Sequence, residues 1–181
     1  MRPLQSIAMG LVVIVLDTLG RVDALPDPLG WVLVLLGVRG LPRDLPHRRP
    51  LLVLALLAGT VSVPLWMPGL ADRLYDTHPS LLWAANLPQL GFAGVLCLGL
   101  AKRAAAAGDT PAAAWARTTL TGVAVVAVLP ILVFGGGIAS LEVPAYLGAS
   151  LVLLLLIWLL FSWCARPWIL GTETTQVTGP T

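Results

Sequence analysis

Six runs of apolar residues, separated by short polar segments, dominate this chain of 181 residues. Of these residues 57% are hydrophobic and only 11% are charged, whereas a soluble domain has roughly 25% charged residues. A helix that spans a bilayer needs about 20 mostly apolar residues, so six such helices would use most of the chain. The composition therefore excludes a water-soluble fold and predicts an all-α membrane helix bundle.

The apolar runs predict six transmembrane helices that pair into three hairpins. Their predicted ranges are 4–20, 26–42, 51–70, 80–101, 118–139 and 144–165. Together they form one membrane domain over residues 1–170, followed by a polar cytoplasmic tail over 171–181 that we expect to be disordered. The second run is short for a hydrocarbon core about 30 Å thick, so a re-entrant first hairpin stays open as an alternative.

A signal peptide is a second interpretation of the first apolar run. Arg2 precedes this run, and residues 22–24 resemble a small-residue cleavage site. Asp17 and Arg21 would interrupt the segment before that site, which favours a transmembrane helix that is retained.

Each return helix begins with a similar short string, which suggests an internal repeat of three hairpins. The strings are LPDPLG at 25–30, LPQLG at 87–91 and VPAYLG at 143–148. Proline is favoured in the first turn of any helix, so chance similarity is the favoured explanation, and a true repeat stays open as the alternative. A true repeat predicts that the fourth span begins at Pro88 and that residues 71–87 form a separate surface helix.

The positions of the basic residues predict which end of the bundle faces the cytoplasm, because cytoplasmic loops are enriched in Lys and Arg. With the N-terminus inside, Arg21 and Arg73 fall outside and nine basic residues fall inside. These nine are Arg2, Arg39, Arg43, Arg48, Arg49, Lys102, Arg103, Arg117 and Arg166. Both termini are therefore expected in the cytoplasm. The near-absence of lysine is typical of a GC-rich bacterial genome, which favours a bacterial inner membrane.

The aromatic residues predict two interfacial belts, since Trp and Tyr concentrate at both membrane surfaces. The residues expected at the outer interface are Trp31, Trp66, Tyr75, Trp83 and Tyr146, and those expected at the inner interface are Trp158, Trp163 and Trp168.

The densest polar segment is the first hairpin. Asp17 and Arg21 are four residues apart and would pair on one helix face, while Asp23 and Asp27 add two carboxylates at the same outer end. Ionisable groups at membrane depth are candidates for cation binding or a proton relay. A structural explanation is favoured, in which Arg21 neutralises Asp17, Asp23 lies in a turn and Asp27 caps the helix that starts at Pro28.

A second polar segment contains Asn86 and Gln89, which are three residues apart and share a helix face. Pro88 between them, and Pro130 followed by glycines at 135–137, weaken the fourth and fifth helices. Interrupted helices hold the binding sites of many transporters, so a polar path is a candidate. Hydrogen bonds between helices explain the same residues, and this explanation is favoured.

Motifs for catalysis and cofactor binding are missing from the sequence. His47 and His78 are expected on opposite sides of the membrane, and Cys97 and Cys164 lie in apolar runs. No catalytic residue, metal site, cofactor or nucleic-acid partner is therefore expected. The basic loop at 39–49 could contact anionic lipid headgroups, and a membrane-protein partner or a second copy of the chain is also open.

The string LPDPLGWVLVLLG at 25–37 resembles the first hairpin of small multi-pass bacterial membrane proteins. Their pattern reads D-x-L-P-D-x-x-G-[WY]-x-L, and this chain matches it at Asp23, Pro26, Asp27, Gly30 and Trp31. The resemblance covers about residues 14–40 and implies a multi-pass membrane protein without an assigned activity. The sequence thus favours a non-enzymatic accessory, interaction or scaffold component, with a small transporter or channel-like protein as the alternative.

Overall fold

The computed structural model describes residues 2–19, 27–66, 79–136 and 139–170, and within these ranges the chain is helical without any β-strand. The long helices are α1 (Pro3–Leu19), α2 (Asp27–Gly40), α3 (Arg48–Leu65), α4 (Pro79–Ala106), α5 (Thr110–Pro130) and α6 (Glu142–Trp163). A π-helical turn over Ile131–Gly135 extends α5, a 3-10 turn over Ala139–Leu141 precedes α6, and the short α7 covers Pro167–Leu170. The predicted all-α fold is confirmed. The predicted disordered tail at 171–181 lies outside the described residues.

Among the described residues, four helical segments are long and apolar enough to cross a membrane. They are Arg48–Leu65, Trp83–Ala106, Thr110–Val133 and Val143–Trp163. The apolar part of α1, Pro3–Leu16, is shorter, and the 14 residues of α2 rise only about 21 Å at about 1.5 Å per residue. The first two helices are therefore the short pair of the bundle.

The helices form a closed ring, because each packs against the next along the chain and α6 packs against α1. Gly30 lies against Ile14, and Gly37 lies against Ile7, so α1 and α2 run in opposite directions. The contacts of α2 with α3, α3 with α4, α4 with α5 and α5 with α6 follow the same antiparallel order. As a result, all nine basic residues that the sequence assigned to one side lie at one end of the bundle.

A close contact joins the backbones of α1 and α2. A Cβ atom placed on Gly10 would lie 2.4 Å from the carbonyl oxygen of Gly30, and one placed on Gly30 would lie 2.7 Å from the carbonyl oxygen of Gly10. Small residues permit such an approach between membrane helices. Leu4, Ile7 and Leu11 of α1 are fully or almost fully buried in the same core, so α1 is an integral wall of the bundle.

The core of the described bundle is apolar. Phe92, Leu96 and Leu100 of α4 are fully buried. The buried polar side chains of the described residues are three hydroxyls, and each donates a hydrogen bond to a backbone carbonyl. They are Ser6 to Leu33, Ser62 to Gly59 and Thr119 to Trp115, at 2.8 to 2.9 Å. Each buried hydroxyl is therefore satisfied without a partner side chain.

The boundaries of α4 and α5 differ from the predicted spans at their inner ends. The sequence predicted spans over 80–101 and 118–139, whereas α4 continues to Ala106 and α5 already begins at Thr110. Alanine, the best helix former, supplies three of the five residues that extend α4 and four of the eight that extend α5. Asp109 caps α5, because its Oδ1 accepts a hydrogen bond from the backbone nitrogen of Ala112 at 3.2 Å.

The two helix interruptions that the sequence suggested behave differently in the structure. The regular α-helix of α5 ends at Pro130 and gives way to the π-helical turn, as the predicted weak point requires. By contrast, α4 runs through Pro88 without ending. A repeat boundary at Pro88, with a separate surface helix reaching residue 87, is therefore wrong. Pro88 removes one backbone hydrogen bond, and the helix continues past it into the buried core at Phe92 and Leu96.

Replacing Gly10 by alanine tests the backbone contact of α1 with α2. We expect the Gly10→Ala variant to lose about 1–3 kcal/mol of stability, because the added methyl group overpacks the interface. Gly148→Ala is the matched control, since a Cβ atom on Gly148 meets nothing within 4 Å. The measurement is the thermal unfolding midpoint in detergent micelles, and equal midpoints for the two variants would contradict the predicted contact.

Candidate functional site

Four of the predicted site residues belong to the first hairpin. Asp17 lies in the last turns of α1, and Asp27 is the first residue of α2, where it is half-buried. Arg21 and Asp23 lie outside the described residues. The pairing of Asp17 with Arg21 and the grouping of the three carboxylates therefore stay predictions.

The two remaining predicted residues lie on the first half of α4. Asn86 is exposed and Gln89 is half-buried. One turn further along α4, Phe92 packs edge-to-face against Trp31 of α2, with ring centroids 5.7 Å apart. Trp31 follows Asp27 by one helical turn. Asp27 and Gln89 thus lie on the side of this aromatic contact that is remote from the basic end of the bundle, and both rings are almost completely buried.

Trp31 was predicted at the outer membrane interface, and this position is wrong. Its side chain is only 2% exposed, because Phe92 packs on its ring and Gly59 leaves space beside it. A Cβ atom on Gly59 would lie 3.1 Å from the Cβ atom of Trp31. The indole is therefore a core side chain, one helical turn from Asp27 toward the basic end of the bundle.

A polar cluster at the opposite end of the bundle joins residues that the sequence did not bring together. We call it the inner clasp and define it as Asp44, Arg103, Asp109, Arg166 and Trp168. Arg103 Nη1 lies 2.7 Å from Asp44 Oδ2, and Arg103 Nε donates a hydrogen bond to the carbonyl of Trp168. Asp109 Oδ2 accepts from Trp168 Nε1 at 3.0 Å and from Arg166 Nη1 at 3.2 Å. The inner clasp therefore ties the α2–α3 loop, the end of α4, the α4–α5 loop and α7 to one another.

The ion pair of Arg103 with Asp44 lies at the edge of the bundle, and its two side chains differ strongly in exposure. The side chain of Arg103 is 14% exposed, whereas that of Asp44 is 75% exposed. The hydrogen bond from Arg103 lowers the pKa of Asp44 below its ordinary value. The sequence did contain a signal for these pairs, because Asp44 and Asp109 are isolated acids on a side that is otherwise basic.

The α2–α3 loop is fixed to the end of the bundle by apolar contacts as well. Leu41 and Leu45 are buried, and a Cβ atom on Gly99 of α4 would lie 2.8 Å from the carbonyl oxygen of Pro46. His47 adopts a left-handed conformation with φ of 62° just before α3. Its Nε2 lies 2.9 Å from Nζ of Lys102. The loop is thus attached to α4 at several points.

Arginines mark the inner end of the line of contact between α2 and α3, which we call the α2–α3 seam. Arg48 Nη2 donates a hydrogen bond to the carbonyl of Arg39 at 2.9 Å and so crosses the seam. Arg39, Arg43 and Arg49 are exposed. In the part of the chain that the structure describes, these three side chains contact no acidic residue.

The described residues contain no group of three or more His, Cys, Asp or Glu side chains that could hold a metal ion. Cys97 and Cys164 are free thiols, one buried and one half-buried. No protein-family model, curated protein or solved structure matches the chain. The likeness of the first hairpin to small multi-pass membrane proteins therefore stays a resemblance of the sequence.

Protonation of Asp44 tests the inner clasp. Arg103 keeps the pKa of folded Asp44 below the ordinary value of 3.8, so the ion pair contributes its full stability above that value and loses it as the pH falls through the lower folded pKa. We expect hydrogen exchange of the amides at 41–48, corrected for the intrinsic rate, to speed up as the solution is acidified toward pH ~3. In Asp44→Asn the exchange should already be faster at neutral pH and insensitive to acid. Unchanged protection in this variant would contradict the role of the ion pair.

Proposed function

We propose that this protein is a six-span protein of the bacterial inner membrane, arranged as three helical hairpins with both termini in the cytoplasm. Four apolar helices of spanning length support a membrane location. The antiparallel ring then supports two further crossings, because α1 and α2 pack into the same core as the longer helices. The nine basic residues share one end, which the positive-inside rule assigns to the cytoplasm.

The outward surface of the short pair α1–α2 supports its position within the bilayer. Leu29, Val32 and Leu36 of α2 and Met9 and Leu16 of α1 are 37% to 55% exposed. Contact of such an apolar surface with lipid is favourable, whereas its contact with water is unfavourable. A helix shorter than the hydrocarbon core is accommodated by local thinning of the bilayer at modest cost. The packed position of α1 also supports a retained helix over a cleaved signal peptide.

The activity we infer is that of a non-enzymatic accessory or scaffold component. This proposal rests on two features of the described residues, which are an apolar core and an end of the bundle whose loops are held together by the inner clasp. The core holds its few buried hydroxyls by backbone bonds, and the inner clasp holds the loops in place. A rigid basic face of this kind presents a surface to a partner, either a membrane protein or a second copy of the chain.

A small transporter is the second candidate, favoured by the position of Asp27 and Gln89 on α2 and α4. Both lie outside the Trp31–Phe92 contact, as the entrance of a polar path would require. Such a path would have to open that contact and then pass the buried leucines of α4. The apolar packing at this level favours the scaffold proposal.

A cysteine-accessibility map tests the six-span topology. In a background with Cys97→Ala and Cys164→Ala, single cysteines replace Arg43, Gly108, Asp23 and Asp76. We expect a membrane-impermeant maleimide to label the first two positions only from the cytoplasmic side and the last two only from the outside. Protection of position 23 from both sides, with position 43 still labelled from the cytoplasm, would indicate a re-entrant first hairpin and contradict six spans.

Ion flux in proteoliposomes separates the two functional candidates. The scaffold proposal predicts that proton, sodium and potassium flux equals that of protein-free liposomes. The transporter alternative predicts a flux above this background, which falls in Asp27→Asn and Gln89→Leu because polar groups of the path are lost. Arg117→Gln, an exposed residue at the other end of the bundle, is the control. A flux that Asp27→Asn abolishes and Arg117→Gln leaves intact would overturn the scaffold proposal.

A further inference from the structure

We propose that the α2–α3 seam binds one anionic phospholipid of the cytoplasmic leaflet. The phosphate would lie against the arginines at the inner end of the seam, and one acyl chain would occupy an apolar groove along the two helices. This inference rests on the membrane placement proposed above and names the chemistry of one partner.

The groove is an open depression of about 370 Å³ between α2 and α3. It is lined by Trp31, Val32 and Leu35 on one side and by Leu56, Gly59 and Val63 on the other. Thr60 also lines it, but its hydroxyl donates to the carbonyl of Leu56 at 2.8 Å. The lining therefore provides almost only apolar contact. A narrow hydrocarbon chain satisfies such a surface, whereas a polar ligand would lose hydrogen bonds there.

The groove leads toward the basic end of the seam. Arg39 follows Leu35 by four residues and so lies one turn further along the same helix face. At this level Arg48 crosses the seam to the carbonyl of Arg39. The side chains of Arg39 and Arg49 are exposed at this end, so a ligand can reach their guanidinium groups. A phosphate oxygen is the acceptor that a guanidinium binds best.

Charge at this end of the bundle favours an anion. The two acids described at this end are already engaged, Asp44 by Arg103 and Asp109 by Arg166. Among the described residues, Arg39, Arg48 and Arg49 therefore form no ion pair with a carboxylate. A zwitterionic headgroup would bring its own ammonium group close to these arginines, so a net anionic headgroup fits better.

The dimensions of the seam match one lipid chain. From Arg39 to Trp31, α2 rises about 12 Å at about 1.5 Å per residue. Half of a hydrocarbon core is about 15 Å, which is the depth that one acyl chain of the cytoplasmic leaflet occupies. A lipid whose phosphate contacts Arg39 would therefore reach the part of the groove at Leu35, Trp31 and Leu56. The lining at Pro28 and Pro64 lies beyond that depth, at the outer end of the seam. The groove and the arginines are separate observations that one phospholipid explains together.

Lipid titration of the delipidated full-length protein in neutral detergent micelles tests the proposal. Native mass spectrometry would compare phosphatidylglycerol with phosphatidylcholine of the same acyl chains. We expect one molecule of phosphatidylglycerol to bind at least about tenfold more tightly. Arg39→Gln and Arg48→Gln should each weaken this binding about fivefold. Arg117→Gln, which removes the same charge from α5, should change it less than about twofold.

A second pair of variants tests the groove. Thr60→Trp fills the depression and should weaken phosphatidylglycerol binding at least about fivefold by excluding the acyl chain. Leu57→Trp places the same side chain on α3 at an exposed position that does not line the groove, and it should leave binding unchanged. The two substitutions therefore separate loss of the groove from a general effect of a tryptophan.

Three results would overturn the proposal. Equal affinity for the two lipids would mean nonselective lipid around the bundle, and competition by inorganic phosphate at lipid concentrations would mean a free-anion site. Unchanged binding in Arg48→Gln and Thr60→Trp would remove the α2–α3 seam as the site. The measurement in micelles is independent of membrane orientation. Loss of selectivity with an intact cysteine map would therefore overturn this inference alone, and a failed map would overturn the topology alone.

Discussion

The contact between the α1 and α2 backbones at Gly10 and Gly30 is the interaction on which the rest of the structure depends. In lipid the association of helices relies on van der Waals packing, because hydrocarbon tails are as apolar as the side chains. Two facing glycines let the two backbones approach closely, so that their atoms make this contact directly. The contact fixes α1 against α2, and α1 in turn packs against α6, so it closes the ring of helices. The apolar core inside the ring follows from that closure, and the single basic end follows from the antiparallel order of the helices.

The basic residues of the inner end form two groups with different roles. Arg103 and Arg166 contact Asp44 and Asp109 and hold loops from distant parts of the chain together. Arg39, Arg48 and Arg49 lie at the α2–α3 seam, where no described acid offsets them. The first group therefore makes the inner face rigid, and the second leaves it cationic. This division explains how a surface can be structurally fixed and still attract an anionic partner.

Much of the fold was predictable because it depends on local sequence. The cap at Asp109 and the end of the regular α-helix at Pro130 follow from the conformational preferences of single residues. Contacts between distant residues were not predictable. Asp109 meets Trp168 across 59 positions of the chain, and the burial of Trp31 depends on Phe92 and on the small size of Gly59. Neither pair leaves a periodic signal in the sequence. Hydropathy indicates the medium around a helix, but it does not identify which residue of another helix lies beside it.

The Trp31–Phe92 contact also bears on the choice between a scaffold and a transporter. Opening a polar path between α2 and α4 would expose both rings to water, at about 1.5 kcal/mol or more for each, and would forfeit about 1 kcal/mol of ring contact. The sum of about 4 kcal/mol corresponds to an open population on the order of one in a thousand. A transported solute could reverse this balance only by binding the open state more strongly by the same free energy. The polar residues above the contact, Asp27 and Gln89, would have to provide most of that difference. Without such a solute, the outer polar residues close one end of an apolar bundle, and the chemistry available to a partner lies at the arginines of the other end.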